Sequence, residues 1–288
     1  MSVTSSQIAD DLRKLGLPAG AVVALHSSLK SIGCVERGAD AVIDAFLYVL
    51  GPEGTLLVPT FTYCFRKEDE TPVYDRATTP SETGLITETL RNRPEAVRSD
   101  HPTHSAAAIG RLAKKLTAEH LGATALGINS PFHRVSLNNG WILLLGCGHN
   151  TNSFIHVAEV LAGAAYSGIF CWLHLGWKQE ASFKDESGKV RRLAIFECPG
   201  DSKAFSKIET ELRSNGALME GNVGEASAQL VKAKEVEQTV RRLLEEDEAF
   251  LLCDEGTCKG CDVRRNSIGL PSPPPLPAPS TWILDDRV

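Results

Sequence analysis

The chain has 288 residues, 42% of them hydrophobic and 23% charged, with a formal net charge of −6. That balance excludes the disordered class, and a negative charge argues against a nucleic-acid-binding surface while suiting cationic small molecules. A chain of this length buries a core without covalent staples. Residues 4–16 read as a first helix, because Ile8, Leu12 and Leu15 recur at helical spacing, with Ser5 or Ser6 as its cap. Residues 21–26 (AVVALH) are a short buried strand, followed by a polar turn, HSSLKSIG. Residues 40–50 form a second helix with Val42, Phe46, Val49 and Leu50 on one face, stopped by Gly51 and Pro52. Residues 55–59 (TLLVP) are a second buried strand. Helix, strand, helix, strand in succession predicts an α/β layered fold with a largely parallel sheet.

Residues 62–83 are polar, rich in Thr, Asp, Glu and Pro, and read as an exposed loop; residues 83–92 return to helix, and residues 106–121 are expected to be helical. Residues 141–146 (WILLLG) are a third buried strand ending in a glycine turn, GCGHN, before a helix over 153–162. Residues 169–198 form a strand-rich segment, and helices resume at 205–213 and 233–246. From Gly269 onward the run PSPPPLPAPS defeats helix and sheet, leaving 269–288 as a flexible or polyproline tail. It reads as a linker or as a ligand for a proline-reading module. No run is long enough to span a bilayer, and the first residues lack the apolar run of a signal peptide, so a cytoplasmic protein with reduced cysteines is expected.

The phosphate loop GxxxxGK[ST], the dinucleotide fingerprint GxGxxG, the zinc motif HExxH and the nucleophile elbow GxSxG are all missing. The best constellation is the segment 153–159, SFIHVAE, after the third strand. On a helix His156 and Glu159 share a face, and a carboxylate beside an imidazole fixes its tautomer and raises its basicity. The pair resembles the lower half of a catalytic triad; it also fits a solvated helix surface. A second constellation, RSDHPTHS over 98–105, carries His101, Thr103, His104 and Ser105. It is expected to open a small-residue helix (AAAIG) whose N-terminus could hold an anion or a carbonyl oxygen, or to be a plain helix cap. Neither histidine has a nearby third ligand at metal spacing. A third is the strand-to-helix turn with His26, Ser27, Ser28, Leu29, Lys30 and Gly33, suited to pantetheine amides or phosphate and equally to a generic polar turn. The fourth is Cys253, Cys258 and Cys261, spaced C-x4-C-x2-C, which is zinc-like but one ligand short; three reduced thiols fit as well.

Read in order, the segments VVALHSSLKSIG, GPEGTLLVPTFTY, TTPSETGLITETLRNRPEAVRSDHPTHSAAAIG, NSPFHRV, WILLLGCGHNTNSFIHVAE and EGNVGEASAQLVKAKEV resemble the aminoglycoside 3-N-acetyltransferase family, over roughly residues 5–240. The resemblance implies a mixed α/β architecture distinct from the GNAT fold, in a catalytic domain over 1–268. It implies acetyl-CoA as donor, no metal requirement, and His156 and Glu159 as the catalytic pair. The turn with His26, Ser27, Ser28, Leu29, Lys30 and Gly33 would line the coenzyme site, with His101, Thr103, His104 and Ser105 flanking the thioester. The acceptor would be an aminoglycoside or another polyamine, received by Tyr63 and by the acidic stretch Glu68, Asp69 and Glu70 with Asp75. Neither nucleic acid nor membrane is an implied partner, and a homodimer is left open.

Overall fold

The computed structural model describes residues 2–62, 72–195, 199–270 and 283–284. The first helix, α1 (Ser5–Lys14), buries Ile8, Ala9 and Leu12. Its cap is Thr4, not Ser5 or Ser6: Thr4 Oγ1 accepts from the Gln7 N–H at 3.2 Å while the Thr4 N–H donates to Gln7 Oε1 at 2.8 Å. This reciprocal capping box satisfies two amide donors at once, which neither serine one or two residues later could do.

A seven-stranded sheet follows, in spatial order β3-β4-β2-β1-β5-β9-β8. Its strands are β1 (Val22–Ser27), β2 (Thr55–Pro59), β3 (Val97–Arg98), β4 (Ala106–Gly110), β5 (Trp141–Leu145), β8 (Met219–Val223) and β9 (Ala226–Lys232). The sheet is mixed. Only the centre is parallel, where β1 pairs with β2 on one side and β5 on the other; β4, β3, β9 and β8 are added antiparallel outside. The outer strands come from segments whose sequence carries weak strand signals. The hairpin β8–β9, for example, turns on Gly224 and Glu225.

Both faces of the sheet are covered, so the central strands alternate between two cores rather than between core and water. Val22, Ala24, Ile142 and Leu144 point into one core; Val23, Leu25, Leu143 and Leu145 point into the other. The second core is roofed by α1, α2 (Ala39–Leu50) and α3 (Leu85–Arg91). The first is roofed by α4 (Ala113–Thr117), α5 (Pro131–Leu137), α6 (Phe154–Ala162), α7 (Ile208–Ser214) and α8 (Ala233–Glu246).

One expected helix is a strand. The segment at 106–121, read as helical from its alanines, begins with β4, which pairs along its length with β2; helix is confined to α4. Ala106, Ala107 and Ala108 are all fully buried. A slot in a two-sided sheet outweighs the few tenths of a kcal/mol by which alanine prefers a helix. The helix N-terminus expected at the start of AAAIG therefore does not exist.

The segment 169–198 supplies β6 (Glu180–Lys184) and β7 (Val190–Ala194) of a small second sheet, joined by β10 (Ile283–Leu284), which pairs with β7. Tyr74, Phe170, Phe183, Leu193 and Ile195 form its core. Helix α9 (Lys259–Arg265) closes the chain against the first core, through Cys261. Among the described residues no helix is long and apolar enough to cross a membrane.

The capping box makes a checkable distinction. Thr4→Ala should lower unfolding free energy by about 1 kcal/mol in a urea titration, whereas Ser5→Ala should leave it within about 0.5 kcal/mol; equal losses would remove Thr4 from the cap.

Candidate active site

The parallel strands β1, β2 and β5 end on the same edge of the sheet, and β1 sits where the chain goes one way to β2 and the other way to β5. Such an edge opens into a crevice because the connections diverge from it. Here a cavity of about 680 Å³ is lined by His26 and Ser27 from the end of β1, Pro59 and Phe61 from the end of β2, and Cys147 after β5. A second cavity of about 590 Å³ shares Ser27 and Gly84 with it and is lined by Ser28, Leu29, Lys30 and Gly33. The two read as one cleft with two arms. Gly33 has a φ of 96°, a backbone conformation that favours glycine, and it lies against the Glu225 side chain of the β8–β9 hairpin.

Helix α6 brings the pair singled out from sequence to the cavity. Its start is fixed by Asn152, whose Oδ1 accepts from the Phe154 N–H at 3.1 Å. Phe154, Ile155, Val157 and Ala158 are fully buried, so the helix is apolar on nearly every side. His156 reaches the cavity, and its Nδ1 lies 2.9 Å from Glu159 Oε2. Phe205 packs edge-on against the imidazole at 4.7 Å. A carboxylate only accepts, so the shared proton sits on Nδ1 and leaves Nε2 with a free lone pair.

Glu159 is 1% exposed. Besides His156, its Oε1 accepts from the Tyr166 hydroxyl at 3.0 Å, and the Arg264 guanidinium lies 3.8 Å from Oε2. Burial, and then the Glu159 charge, push the Tyr166 phenol far above its ordinary range, so it remains a donor. Arg264 also lies over the Tyr166 ring at 5.3 Å. The outer wall of the cavity is built by Trp172, Trp177 and the segment 199–203. The two indoles lie 4.9 Å apart, and Trp172 Nε1 donates to the Pro199 carbonyl at 2.8 Å. Glu82 and Asp201 bring carboxylates to the same wall.

The family model for aminoglycoside 3-N-acetyltransferases matches residues 24–245. The chain belongs to the aminoglycoside 3-N-acetyltransferase family. It is 32% identical over 257 residues to aminoglycoside N(3)-acetyltransferase VII of Streptomyces paromomycinus, covering 81% of this chain and 88% of that protein. A histidine-to-alanine variant of aminoglycoside acetyltransferase AAC(3)-IVa, solved in complex with gentamicin, superposes with a TM-score of 0.81 at 29% identity, over 93% of this chain and 98% of that one. AAC-IIIb, solved as a binary complex with CoASH, gives 0.72 at 26% identity, over 85% and 97%. The chain is an acetyltransferase with the family's mixed-sheet fold.

Within that family fold the expected site residues divide. His26, Ser27, His104 and His156 line the main cavity, and Ser28, Leu29, Lys30 and Gly33 line the adjoining arm. Glu159 stands directly behind His156. His101, Thr103 and Ser105 do not reach either arm. Thr103 Oγ1 lies 3.2 Å from His101 Nδ1 and 2.8 Å from His104 Nδ1, and the Ser105 hydroxyl donates to the Thr60 carbonyl at 2.7 Å. His101 and Thr103 brace His104 from behind, and Ser105 is tied to the strand beside it. Asp75 pairs with Lys184 at 3.1 Å and lines a different cavity, beside Tyr74 and Arg76. Tyr63, Glu68, Asp69 and Glu70 lie outside the described residues.

Sequence reasoning did not single out Tyr166, Arg264, Trp172, Trp177, Glu82 or Asp201. Tyr166 had a faint signal, seven residues after Glu159, but α6 ends before it. Arg264 had none, because its meeting with Glu159 is purely tertiary.

Several histidines around the cleft are neutral. Burial, then the charge of His149, holds His26 at about 3; burial holds His149 at about 4 and His120 at about 3; burial, then His120 and His104, holds His101 well below the ordinary 6.5. A depressed imidazole value means that the unfolded chain binds more protons between the folded value and 6.5, so stability rises with pH across that window. Stability should be full above about pH 6.5 and fall steeply toward pH 4. In His120→Asn, the slope of unfolding free energy against pH should shrink by about one proton; an unchanged slope would show that His120 is already charged in the fold.

Proposed function

We propose that this chain transfers the acetyl group of acetyl-CoA directly to the 3-amino group of an aminoglycoside, with His156 as general base and Glu159 as its positioning partner. The observation that carries this reading is the orientation of His156: Nδ1 is held by a buried, thrice-partnered carboxylate, and the ring lies on the cavity wall. An aminoglycoside amine at neutral pH is an ammonium ion. His156 Nε2 takes its proton, directly or through water, and Glu159 steadies the imidazolium that forms. The amine lone pair then attacks the thioester carbonyl carbon, the tetrahedral intermediate collapses, and the carbon–sulfur bond breaks. Coenzyme A leaves as a thiolate that recovers a proton from the imidazolium, and the new amide nitrogen gives up its remaining extra proton to solvent. No step calls for a metal ion.

The relatives support the two substrates. AAC-IIIb was solved with CoASH and the AAC(3)-IVa variant with gentamicin. In this chain the arm with Ser28, Leu29, Lys30 and Gly33 suits the coenzyme, with Lys30 as a cation for its phosphates. The part of the cavity lined by Trp172, Trp177 and Glu82 suits a polycation, which a carboxylate and indole faces both attract. Cys147 lines the cavity, but burial pushes its thiol upward, which disfavours a thiolate nucleophile and supports direct transfer over an acyl-enzyme. We also take residues 1–268 as the catalytic unit and 269–288 as a tail whose strand β10 docks on the small sheet.

The test is release of free coenzyme A from acetyl-CoA in the presence of an aminoglycoside panel. His156→Ala should lower kcat by ~10²- to 10⁴-fold. Glu159→Gln should lower kcat while leaving the coenzyme Kd unchanged. Full turnover by His156→Ala would falsify the base assignment. Wild-type protein that binds the coenzyme but acetylates no aminoglycoside would move the acceptor to another class of amine. On the acceptor side, Glu82→Gln should raise KM for the aminoglycoside up to about fivefold, the worth of one lost charge contact of ~1 kcal/mol, with KM for acetyl-CoA unaltered.

A further inference from the structure

The three cysteines of the C-x4-C-x2-C run lie outside the residues matched by the family model. In the fold they converge. The Sγ atoms of Cys253, Cys258 and Cys261 all lie within 4.8 Å of one another. Tetrahedral zinc with Zn–S bonds of ~2.3 Å holds its sulfurs about 3.8 Å apart, so modest side-chain rotations close the set. Cys261 is fully buried, and Cys253 and Cys258 are half-buried. None of the three is in a disulfide. Cys258 directly precedes α9 and Cys261 lies in its first turn, so the C-x2-C pair is aimed by a helix start, while Cys253 approaches from the preceding loop. A fourth donor is within reach from far away in sequence: Asp201 Oδ2 stands 3.6 Å from Cys258 Sγ and would move inward to complete the set.

We propose that Cys253, Cys258, Cys261 and Asp201 form a structural zinc site that fastens α9 to the outer wall of the active-site cavity. Four protein ligands make a closed site with no open coordination position, which suits a structural rather than a catalytic metal. The surrounding charges fit the assignment. Three thiolates and a carboxylate around a dication leave a net negative centre. Arg265 donates to the Cys253 carbonyl at 2.5 Å, and Lys203 pairs with Asp201 at 3.2 Å. Arg264, on the same helix turn, lies so close to Gly200 that a Cβ there would stand 2.5 Å from its guanidinium carbon. Trp172 packs over Gly260 inside the knuckle. The metal would therefore tie together Asp201 and Trp172, which line the cavity, and the helix that carries Arg264 to Glu159. Binding converts the three thiols to thiolates and releases their protons to solvent.

Metal analysis of the full chain, purified without chelator from zinc-supplemented medium, should find about one zinc per chain, and Cys258→Ser should retain less than about a tenth of that. Cobalt(II) added to the chelator-treated wild type should give thiolate-to-cobalt charge transfer and the visible bands of tetrahedral cobalt. Those bands test the proposal even where Cys258→Ser fails to fold. Chelation should also lower the Tm and make three further thiols reactive toward a disulfide reagent. In Asp201→Asn the charge transfer should persist while zinc binds at least tenfold more weakly. Wild-type protein that is folded, free of zinc and silent with cobalt would overturn the site, as would a native disulfide among the three cysteines. An Asp201→Asn variant of unchanged zinc affinity would overturn the fourth ligand.

Discussion

A carboxylate in an apolar interior has to be compensated, because the desolvation it suffers amounts to several kcal/mol in real proteins. Glu159 sits in that position at the centre of the first core, and three separate parts of the chain meet its needs. His156 comes from one turn earlier on α6, Tyr166 from the loop that follows the helix, and Arg264 from the helix that ends the described core. Much of the architecture around the cleft follows from this constraint. The loop after α6 must fold back far enough to bring Tyr166 home, and α9 must pack where its arginine can reach. In return the imidazole of His156 is held by its inner nitrogen and by Phe205, with little freedom to turn.

The cleft itself is a consequence of sheet topology. Three parallel strands ending on one edge, with the middle one at the point where the connections diverge, leave a crevice that no side chain fills. The antiparallel strands added on both sides widen the sheet, and β4, which starts beside the end of β2, brings His104 to that edge. His26 lines the crevice and His101 and His120 are buried behind it, and burial suppresses the protonation of all three. The wall opposite comes from the small second sheet and its neighbouring loops, the part of the chain with the least familiar sequence. It carries Trp172 and Trp177, which line the cavity.

Some of this was legible in the residues. The strands AVVALH, TLLVP and WILLLG are continuous apolar runs, and a run of that kind has few alternatives to a strand buried on both faces. The i, i+3 spacing of His156 and Glu159 put them on one helical face before any coordinates. The alanines of β4 misled, because local propensity is weak and the strand's slot between β3 and β2 is a property of the sheet. The acidic residue Asp75 drew attention by composition alone, yet it is engaged with Lys184 beside another cavity. The hydroxyls of Thr103 and Ser105 looked available and are spent on internal hydrogen bonds.

The sequence by itself determined the layered α/β class, the three central strands, the helix bearing His156 and Glu159, and the family to which they belong, since each depends on contacts within a few residues or on motifs in order. Only the tertiary structure decided that Glu159 is buried rather than solvated, that Tyr166 and Arg264 attend it, that the three cysteines converge with Asp201 beside Cys258, and that Trp172 and Trp177 face the cavity. Those pairings join segments far apart along the chain. Long-range contact is set by how whole elements pack, and no local periodicity records it.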